Sequence, residues 1–558
     1  MMTFDRTLPK TDRKRHVPAL RAPVLPLAFL LLQTVAAAAE APVTPGSVQD
    51  MFRSDRMPMP RTPPQVVVPV QSPPSQADPR ARRFRVNAFA MSGNTVYRTQ
   101  RLKRLLERFV DMELNLYDLT RAADVITRFY HDHGYTLARA VIPPQKVVDG
   151  VVSIQIVEGR FGRVAFTGNQ RYSTAFLSRR TALLAPGALV TSDRLENNLL
   201  LMNDLPGVKA RAVMQPGAEF GATDAEIQVK EKLVDGSVGI DNAGRDETGR
   251  NRLQASLNIN SPFGWGDQLS LSGSSTQHNL IRYWKAGYSI PLDAIGTRLT
   301  VGSSKAAYDV SGALAALGVR GVVRTDEALV SQPLERSRDD NRWISVGLKR
   351  NRLEQSALGT PLSDDKVTVL VGSYALSHIG ADTSVTNARF GIETNFRSGN
   401  DKKDGVFART EFDVSHTAPF IGRWDIYLHG DLVHSKEQLP DTEKFSLGGP
   451  DSVRAFRPSE VRGDSGYLAT AELRRPFSVA DRLGVFRLTA DAGAVTYKAP
   501  GYNDSRDHLR SIGVGASLYP AKGVVASIDI ATPVGASYRA LDGDNPNHRI
   551  WVNISASF

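Results

Sequence analysis

The sequence predicts a membrane β protein: a transmembrane barrel of roughly 16 strands, an even number that leaves both barrel ends on one side, preceded by two small α+β domains. Three observations predict it. The last stretch alternates without a break, Ile550, Val552, Ile554, Ala556 and Phe558 against Arg549, Trp551, Asn553, Ser555 and Ser557, with a terminal aromatic carboxylate and nothing following to cover it. Such period-two alternation gives a strand one apolar and one polar face. Similar short segments separated by polar turns recur from Asp235 onward, and two pairs of short motifs repeat in the same order ahead of them.

The N-terminus reads as an export signal. Ala22 to Val35 is the longest apolar run, it follows Arg13, Lys14, Arg15 and Arg21, and it is too short for a stable spanning helix. Ala36 to Ala39 offer a small-residue cleavage site, so residues 1–39 are set apart as a signal peptide. That segment carries six basic and two acidic side chains, leaving +7 of the formal +11. The remaining Lys and Arg are spread along the chain without aromatic interleaving, which, with export, argues against nucleic acid. Zero cysteines in an exported chain exclude disulfides, thiolate metal sites and a thiol nucleophile.

Residues 40–57 hold a candidate plug helix. Val48, Met51 and Phe52 lie at helical spacing between Gly46 and Met57, opposite Gln49, Asp50, Arg53 and Ser54. Residues 58–82 contain eight prolines between Pro58 and Pro79 and read as a stiff, extended linker.

The repeat occupies residues 83–158 and 159–232. Ser92-Gly93-Asn94-Thr95-Val96-Tyr97 returns as Thr167-Gly168-Asn169-Gln170-Arg171-Tyr172, and Ile154-Gln155-Ile156-Val157-Glu158 returns as Ile227-Gln228-Val229-Lys230-Glu231. Two motifs duplicated in order indicate two copies of one domain. Each copy opens with a strand (Phe84 to Phe89; Arg163 to Phe166). Two helical patterns follow in each, Arg101 to Phe109 with Leu119 to His131, and Ser173 to Leu183 with Asp193 to Asn203. Two strands close each copy, Leu137 to Ile142 with Val151 to Val157, and Lys209 to Met214 with Ala225 to Val229.

This β-α-α-β-β order, its size and its duplication resemble POTRA domains, the periplasmic modules that precede outer-membrane translocation barrels. The resemblance implies an exposed sheet edge and a groove where an extended client segment can add as a strand. The competing reading is a pair of spacers without client contact.

Residues 233–558 form the predicted barrel. Leu253, Ala255, Leu257 and Ile259 alternate with Gln254, Ser256, Asn258 and Asn260, and Trp424, Ile426 and Leu428 with Asp425, Tyr427 and His429. Polar positions face the lumen, apolar ones face outer-membrane lipid, and Trp424 and Tyr427 are expected near the membrane girdles. With entry from the modules, odd-to-even connections are extracellular. The eleventh strand falls near Trp424 to His434 and the twelfth near Tyr467 to Phe477. The connection between them, residues 435–466, is the longest in the barrel and the sixth outer loop; loops of this length are usually functional.

That loop carries Phe445-Ser446-Leu447-Gly448-Gly449-Pro450-Asp451-Ser452-Val453-Arg454-Ala455-Phe456. Here the chain resembles the two-partner secretion transporters, the TpsB family of haemolysin and haemagglutinin secretion-activation type, whose sixth loop has a Leu-Gly-Gly then Ser-Val-Arg-Gly-Tyr/Phe pattern and folds back into the barrel. The motif residues are Gly448, Gly449, Ser452, Val453 and Phe456. The resemblance implies that Arg454 is a tip residue paired with an acidic residue on the thirteenth strand, where Leu488-Thr489-Ala490-Asp491-Ala492-Gly493 matches the family's Asp-x-Gly pattern. Arg454 and Asp491 are thus the expected loop–barrel lock, with Gly493 in the strand motif. The family's glycine after the arginine is Ala455 here, which puts its tight backbone conformation in question. Asp241-Asn242-Ala243-Gly244, Thr248-Gly249 and Asn260-Ser261-Pro262-Phe263-Gly264-Trp265-Gly266-Asp267 extend the resemblance along the barrel entrance, Ser261 being a small departure.

The resemblance implies an outer-membrane pore whose partners are a secreted exoprotein with an N-terminal secretion domain, of adhesin or haemolysin type, and the barrel-assembly machinery, with Phe558 as assembly signal. It implies no catalytic residue, cofactor or metal, and a drive from client folding at the cell surface. The alternative is an assembly or insertion factor of the same superfamily, which generally carries more POTRA repeats and lacks the linker and plug. A solute porin or barrel enzyme is a third reading.

Two decoys are set aside. Gly463-Asp464-Ser465-Gly466 matches the nucleophile turn of trypsin-like proteases, but no compatible His context precedes it. His131-Asp132-His133 would point its two imidazoles apart on a helix. No phosphate-binding loop, His-Glu-x-x-His or Rossmann fingerprint occurs.

Overall fold

The structure, a computed structural model, describes residues 43–52, 66–67, 81–395, 405–498, 505–535 and 547–558. The signal peptide and most of the linker therefore lie outside the described residues.

Sixteen antiparallel strands close into a barrel, each bonded to its sequence neighbour apart from a two-stranded insert in the long loop. The first strand, Val234–Asp241, closes on the last, Arg549–Ser557, with Ser237 opposite Ser557 and Asp241 opposite Asn553. Phe558 extends the seam: its N–H donates to the Gly236 carbonyl at 3.1 Å and its carbonyl accepts from the Gly236 N–H at 3.2 Å. The outer face is an apolar band that includes exposed Leu253, Trp284, Val301, Val346, Ile392, Leu432, Val514, Ile530 and Ile554. The opposite face buries Asn351, Glu393, Arg409, Glu472 and Asp491. That inversion, apolar outside and charged inside, suits a barrel wall in lipid.

Tyr427 departs from the expectation. On the eleventh strand, Asp425–Ser435, Leu428 and Leu432 face outward, whereas Tyr427 stands opposite Glu472 on the lumenal face. The Arg474 guanidinium lies 3.8 Å over its ring. A cation over the aromatic face holds it inside. Trp424 sits in the turn before this strand, edge-on to Phe486.

The two modules share one topology. In the first, Ala88–Ser92 runs parallel to Val151–Val157, and Arg139–Val141 pairs antiparallel on the other side. In the second, Arg160–Thr167 and Val208–Pro216 flank Ala222–Glu231 in the same senses. The opening strand of the first module is split, because Phe84–Val86 pairs with Met112–Leu114. Leu116–Asp132 covers the first sheet with Leu119, Ala122, Ala123, Ile126 and Tyr130, and Ser192–Asn203 covers the second with Leu195, Leu199 and Met202.

The repeated motifs meet in space. Gly93 and Gly168 both have φ of 81°, a backbone open to glycine. After each glycine the turn amides aim at the glutamate that ends the partner strand. Thr95 N–H (2.6 Å), Val96 N–H (2.8 Å) and the Tyr130 hydroxyl (2.9 Å) donate to Glu158 Oε1. Gln170, Arg171 and Tyr172 N–H donate to Glu231 at 3.1, 2.9 and 3.3 Å. Asn94 and Asn169 each donate to the carbonyl three residues on, both at 2.8 Å.

The second module docks on the barrel. Arg180, buried, donates to the Asp293 carbonyl at 2.9 Å, and Arg336 holds Asp204 through two bonds of 2.8 and 2.9 Å. Gly266 lies under Phe176 and Leu205, where a Cβ would come within 2.9 and 3.1 Å. These contacts fall on the second-to-third, fourth-to-fifth and sixth-to-seventh connections, so the long loop opens on the opposite side.

Candidate functional site

The site is built on the twelfth strand, Ser465–Val479, the thirteenth, Arg482–Tyr497, and the loop before them. Within the loop, Phe445–Leu447 pairs with Val461–Gly463 as a short hairpin, Leu447 opposite Val461. Gly448 and Gly449 follow at φ of 107° and 105°, a region that disfavours side chains. They turn the chain so that the Gly449 N–H reaches the Phe456 carbonyl at 3.0 Å, and the Ser452 hydroxyl accepts from the Gly448 N–H at 3.2 Å. Val453, Ala455 and Phe456 pack with Phe445, Leu447, Leu468, Val495 and Leu509 in one buried cluster against the wall. Ala455 is buried and does not adopt a positive φ, so this loop makes its turn without glycine there.

This packing drives Arg454 at two wall carboxylates. Its Nη1 donates to Asp491 Oδ1 at 2.8 Å and its backbone N–H to Oδ2 at 3.3 Å. Its Nη2 reaches Glu472 Oε1. Asp491, whose side chain is fully buried, also accepts from Thr470 at 3.1 Å and Ser511 at 2.9 Å. Glu472 also accepts from Arg474 at 2.8 Å. Charge-assisted bonds to both carboxylates satisfy a cation that would otherwise be costly to bury. Gly493 gives Leu447 its place, since a Cβ there would stand 2.8 Å from Leu447 Cδ1.

Sequence reasoning missed several partners of this loop, among them Lys349 and Asn351, which bond Glu443 at 2.9 and 2.6 Å. Glu472 is the second carboxylate, and the alternation of the twelfth strand already places it on the face of Thr470. Trp551 in the last strand donates its indole N–H to the Arg454 carbonyl at 2.7 Å. Buried Arg245 and Glu247, from the first outer connection, join Arg457 and Glu460: Arg245 bonds Glu247 at 3.0 Å and the Pro458 carbonyl at 3.0 Å, and Arg457 bonds Glu460 at 3.0 Å. Burial pushes the Glu247 carboxyl up, but Arg245 and Arg457 hold it below the usual carboxylate range.

A second element shares the lumen. Pro45–Asp50 is a helix capped by Thr44; the expected helix ran from Gly46 to Met57, and its residues past Phe52 lie outside the described residues. Val43 and Val48 pack on lumenal Ile281, Ala306, Tyr308, Val323 and Leu353, and Phe52 stacks on Tyr283 at 4.3 Å. Arg462 of the loop hairpin holds Asp50 at 3.1 Å, Thr44 at 3.0 Å and Asp441. The Gly46 N–H donates to Asp441 at 2.6 Å. Helix and loop therefore share one set of ion pairs.

The decoys resolve as structure. Buried Asp464 accepts the Leu439 and Lys498 N–H groups at 2.8 and 2.7 Å, and Ser465 bonds the Ser435 backbone. His131 and His133 contact the carbonyls of Ala138 and Phe129.

Residues 221–518 match the model of the haemolysin secretion/activation proteins ShlB/FhaC/HecB. The chain belongs to this family. Residues 84–159 of the transporter match the ShlB-type POTRA domain. It is 26% identical over 487 residues to the heme/hemopexin transporter protein HuxB of Haemophilus influenzae strain 86-028NP, covering 82% of this chain and 84% of that protein. It is 25% identical over 457 residues to the outer membrane transporter CdiB of Escherichia coli, covering 77% and 75%. A solved structure, CdiB from Escherichia coli, shares the fold at a TM-score of 0.68 with 22% identity, covering 88% of this chain and 93% of that one. The transporter is an outer-membrane pore of two-partner secretion, exporting a partner exoprotein, with its N-terminal modules in the periplasm. Members of the family are transporters rather than enzymes.

Proposed function

We propose that the transporter rests with its lumen filled by the loop and the N-terminal helix, and that export begins when an unfolded exoprotein, recognised by the periplasmic modules through its N-terminal secretion domain, displaces them. The reading divides the chain as signal peptide 1–39, plug helix 40–57, linker 58–82, POTRA modules 83–158 and 159–232, and barrel 233–558. Arg454 and Asp491, with Glu472, are the lock that sets the loop on the wall. Gly448, Gly449, Ser452, Val453, Phe456 and Gly493 shape the seat of that lock. Phe558, on the barrel seam, serves as the signal for the barrel-assembly machinery. The cargo is of adhesin or haemolysin type, the chemistry named for haemolysin transporters among the relatives.

One observation carries this reading: the two lumenal elements are held by a few charged bonds, centred on Arg454 and Arg462, rather than by covalent or wholly apolar packing. Such contacts can be exchanged for contacts to a passing chain. The test is export of the coexpressed exoprotein fragment by Arg454→Ala and Asp491→Ala transporters that insert normally in the membrane. Export falls in both. Undiminished export would remove the lock, and a loss of unrelated outer-membrane proteins on deleting the chain would instead favour the assembly factor.

A further inference from the structure

The proline-rich stretch departs from a plain spacer at one point. Val66–Val67 pairs in parallel with Val208–Pro216, Val66 opposite Ala212 and Val67 opposite Val213. It thereby takes the outer edge of the second module's sheet. Bare, that edge would present a row of N–H and C=O groups, a template for another extended chain. The first module has the same topology, and its matching strand, Arg139–Val141, has no neighbour on its outer side among the described residues. Val141 is exposed there, as is Val148 nearby. Among the described residues, one of the two equivalent edges is open and the other is covered by the chain itself.

The covering segment also leads to the lumen. Only fifteen residues separate Asp50, held by Arg462, from Val66 on the sheet edge. Fully extended they reach at most about 50 Å, so one short tether joins the module edge to the lumenal helix. The cover itself is weak. Two register pairs amount to one or two net backbone hydrogen bonds, and a longer strand on the same edge would outcompete them. The covered strand exposes Lys209 and Arg211, which favours an incoming segment with acidic or polar side chains on that face.

We propose that Val66–Val67 is an internal competitor for the client site of the second module. An extended segment of the exoprotein adds first to Arg139–Val141, then replaces Val66–Val67 along Val208–Pro216, and this exchange frees the chain leading to the helix at Pro45–Asp50. The proposal rests on client recognition by the modules, and its test separates the two.

The chain has no native cysteine, so Val67→Cys with Val213→Cys places one thiol pair at register partners. Oxidation is expected to give an intramolecular disulfide and to suppress export of the coexpressed exoprotein, with reductant restoring it and each single variant exporting normally. Independently, Val66→Pro with Val67→Pro removes the ladder N–H, whichever of the two adjacent residues directs it at Val208–Pro216. In planar bilayers with potassium chloride as the only probe, it should raise the open fraction roughly tenfold, the scale of one or two lost backbone bonds. Failure of the disulfide to form would overturn the pairing. A quantitative disulfide that leaves export unchanged, or prolines that leave conductance unchanged, would overturn the competition. Export by the parent chain that survives removal of residues 83–158 would instead overturn client recognition by the first module.

Discussion

The indole of Trp551 donates to the backbone carbonyl of Arg454 at 2.7 Å, joining the strand that closes the barrel to the tip of the loop folded inside it. Trp551 is buried on the lumenal face of a strand whose outer side carries Ile550, Val552 and Ile554. The Arg454 peptide is thus fixed at its N–H by Asp491 and at its carbonyl by Trp551. Seam and loop are mechanically one unit.

Trp551→Phe keeps most of the ring but leaves that carbonyl without its donor. The loss should be about 1–3 kcal/mol, the cost of an unsatisfied buried acceptor. The measurement is the temperature at which the barrel loses its compact mobility in detergent gels. A shift no larger than that of a surface control would show that the carbonyl is satisfied otherwise.

Arg454 should show an asymmetry between its two carboxylates. Asp491 has a fully buried side chain, and Arg454 is its cationic partner in this site, whereas Glu472 also has Arg474. Arg454→Ala leaves Asp491 buried beside neutral Thr470 and Ser511 donors, at a cost of about 3–5 kcal/mol. Glu472→Gln retains shape and leaves Arg454 paired with Asp491, so it should cost less than half as much. Detergent-gel transitions of both variants, each normalised to the parent, decide the order.

The sequence was most readable where periodicity and turn residues act locally. Strict alternation located the eleventh and twelfth strands within a few residues, because lipid on one side and water on the other leave each position little choice. The paired glycine–asparagine motifs marked both modules for the same reason: a positive φ at Gly93 and Gly168 admits few other residues. What stayed hidden depends on long-range register. Nothing local tells Trp551 that it faces Arg454, or Arg462 that it faces Asp50, since both pairings require the closed barrel. Tyr427 was misplaced because aromatic character suggests the membrane girdle, while its alternation with Leu428 and the Arg474 cation put it inside. Val66–Val67 was obscured by surrounding prolines, which are compatible with an edge strand though not a central one.

Glu158 makes the first module acid-sensitive. Burial raises its carboxyl, but bonds from the Thr95 hydroxyl, the Val96 amide, the Tyr130 hydroxyl and the Thr95 amide outweigh it and hold the group below the ordinary value of 4.5. A depressed carboxylate contributes stability above its unfolded pKa and loses it as pH falls through the folded one. Protection of amides in residues 84–159 of the full chain should therefore decline as pH falls below the ordinary carboxylate value of 4.5. Glu158→Gln should lower protection at neutral pH and flatten that decline. An unchanged acid profile in the variant would assign the decline to other carboxylates.

The joint between the second module and the barrel rests on Arg336, which grips Asp204 with both of its bonds while its own carbonyl accepts from Asn197 at 2.9 Å. Asp204 follows the helix Ser192–Asn203, so the bond fixes the end of that helix against the sixth-to-seventh connection. The Asp204 side chain is partly exposed, and solvent moderates the pair, so Asp204→Ala should cost only about 1 kcal/mol of docking. Its effect should be seen in geometry rather than in melting. Spin labels at Lys209 and Arg423, one on the module and one on a periplasmic turn, should give a broader distance distribution in the variant. The Arg180 contact to the Asp293 carbonyl keeps the module attached, so the mean should move less than the width. A distribution as narrow as the parent's would mean that Arg180 and the Phe176–Gly266 contact set the joint without Asp204.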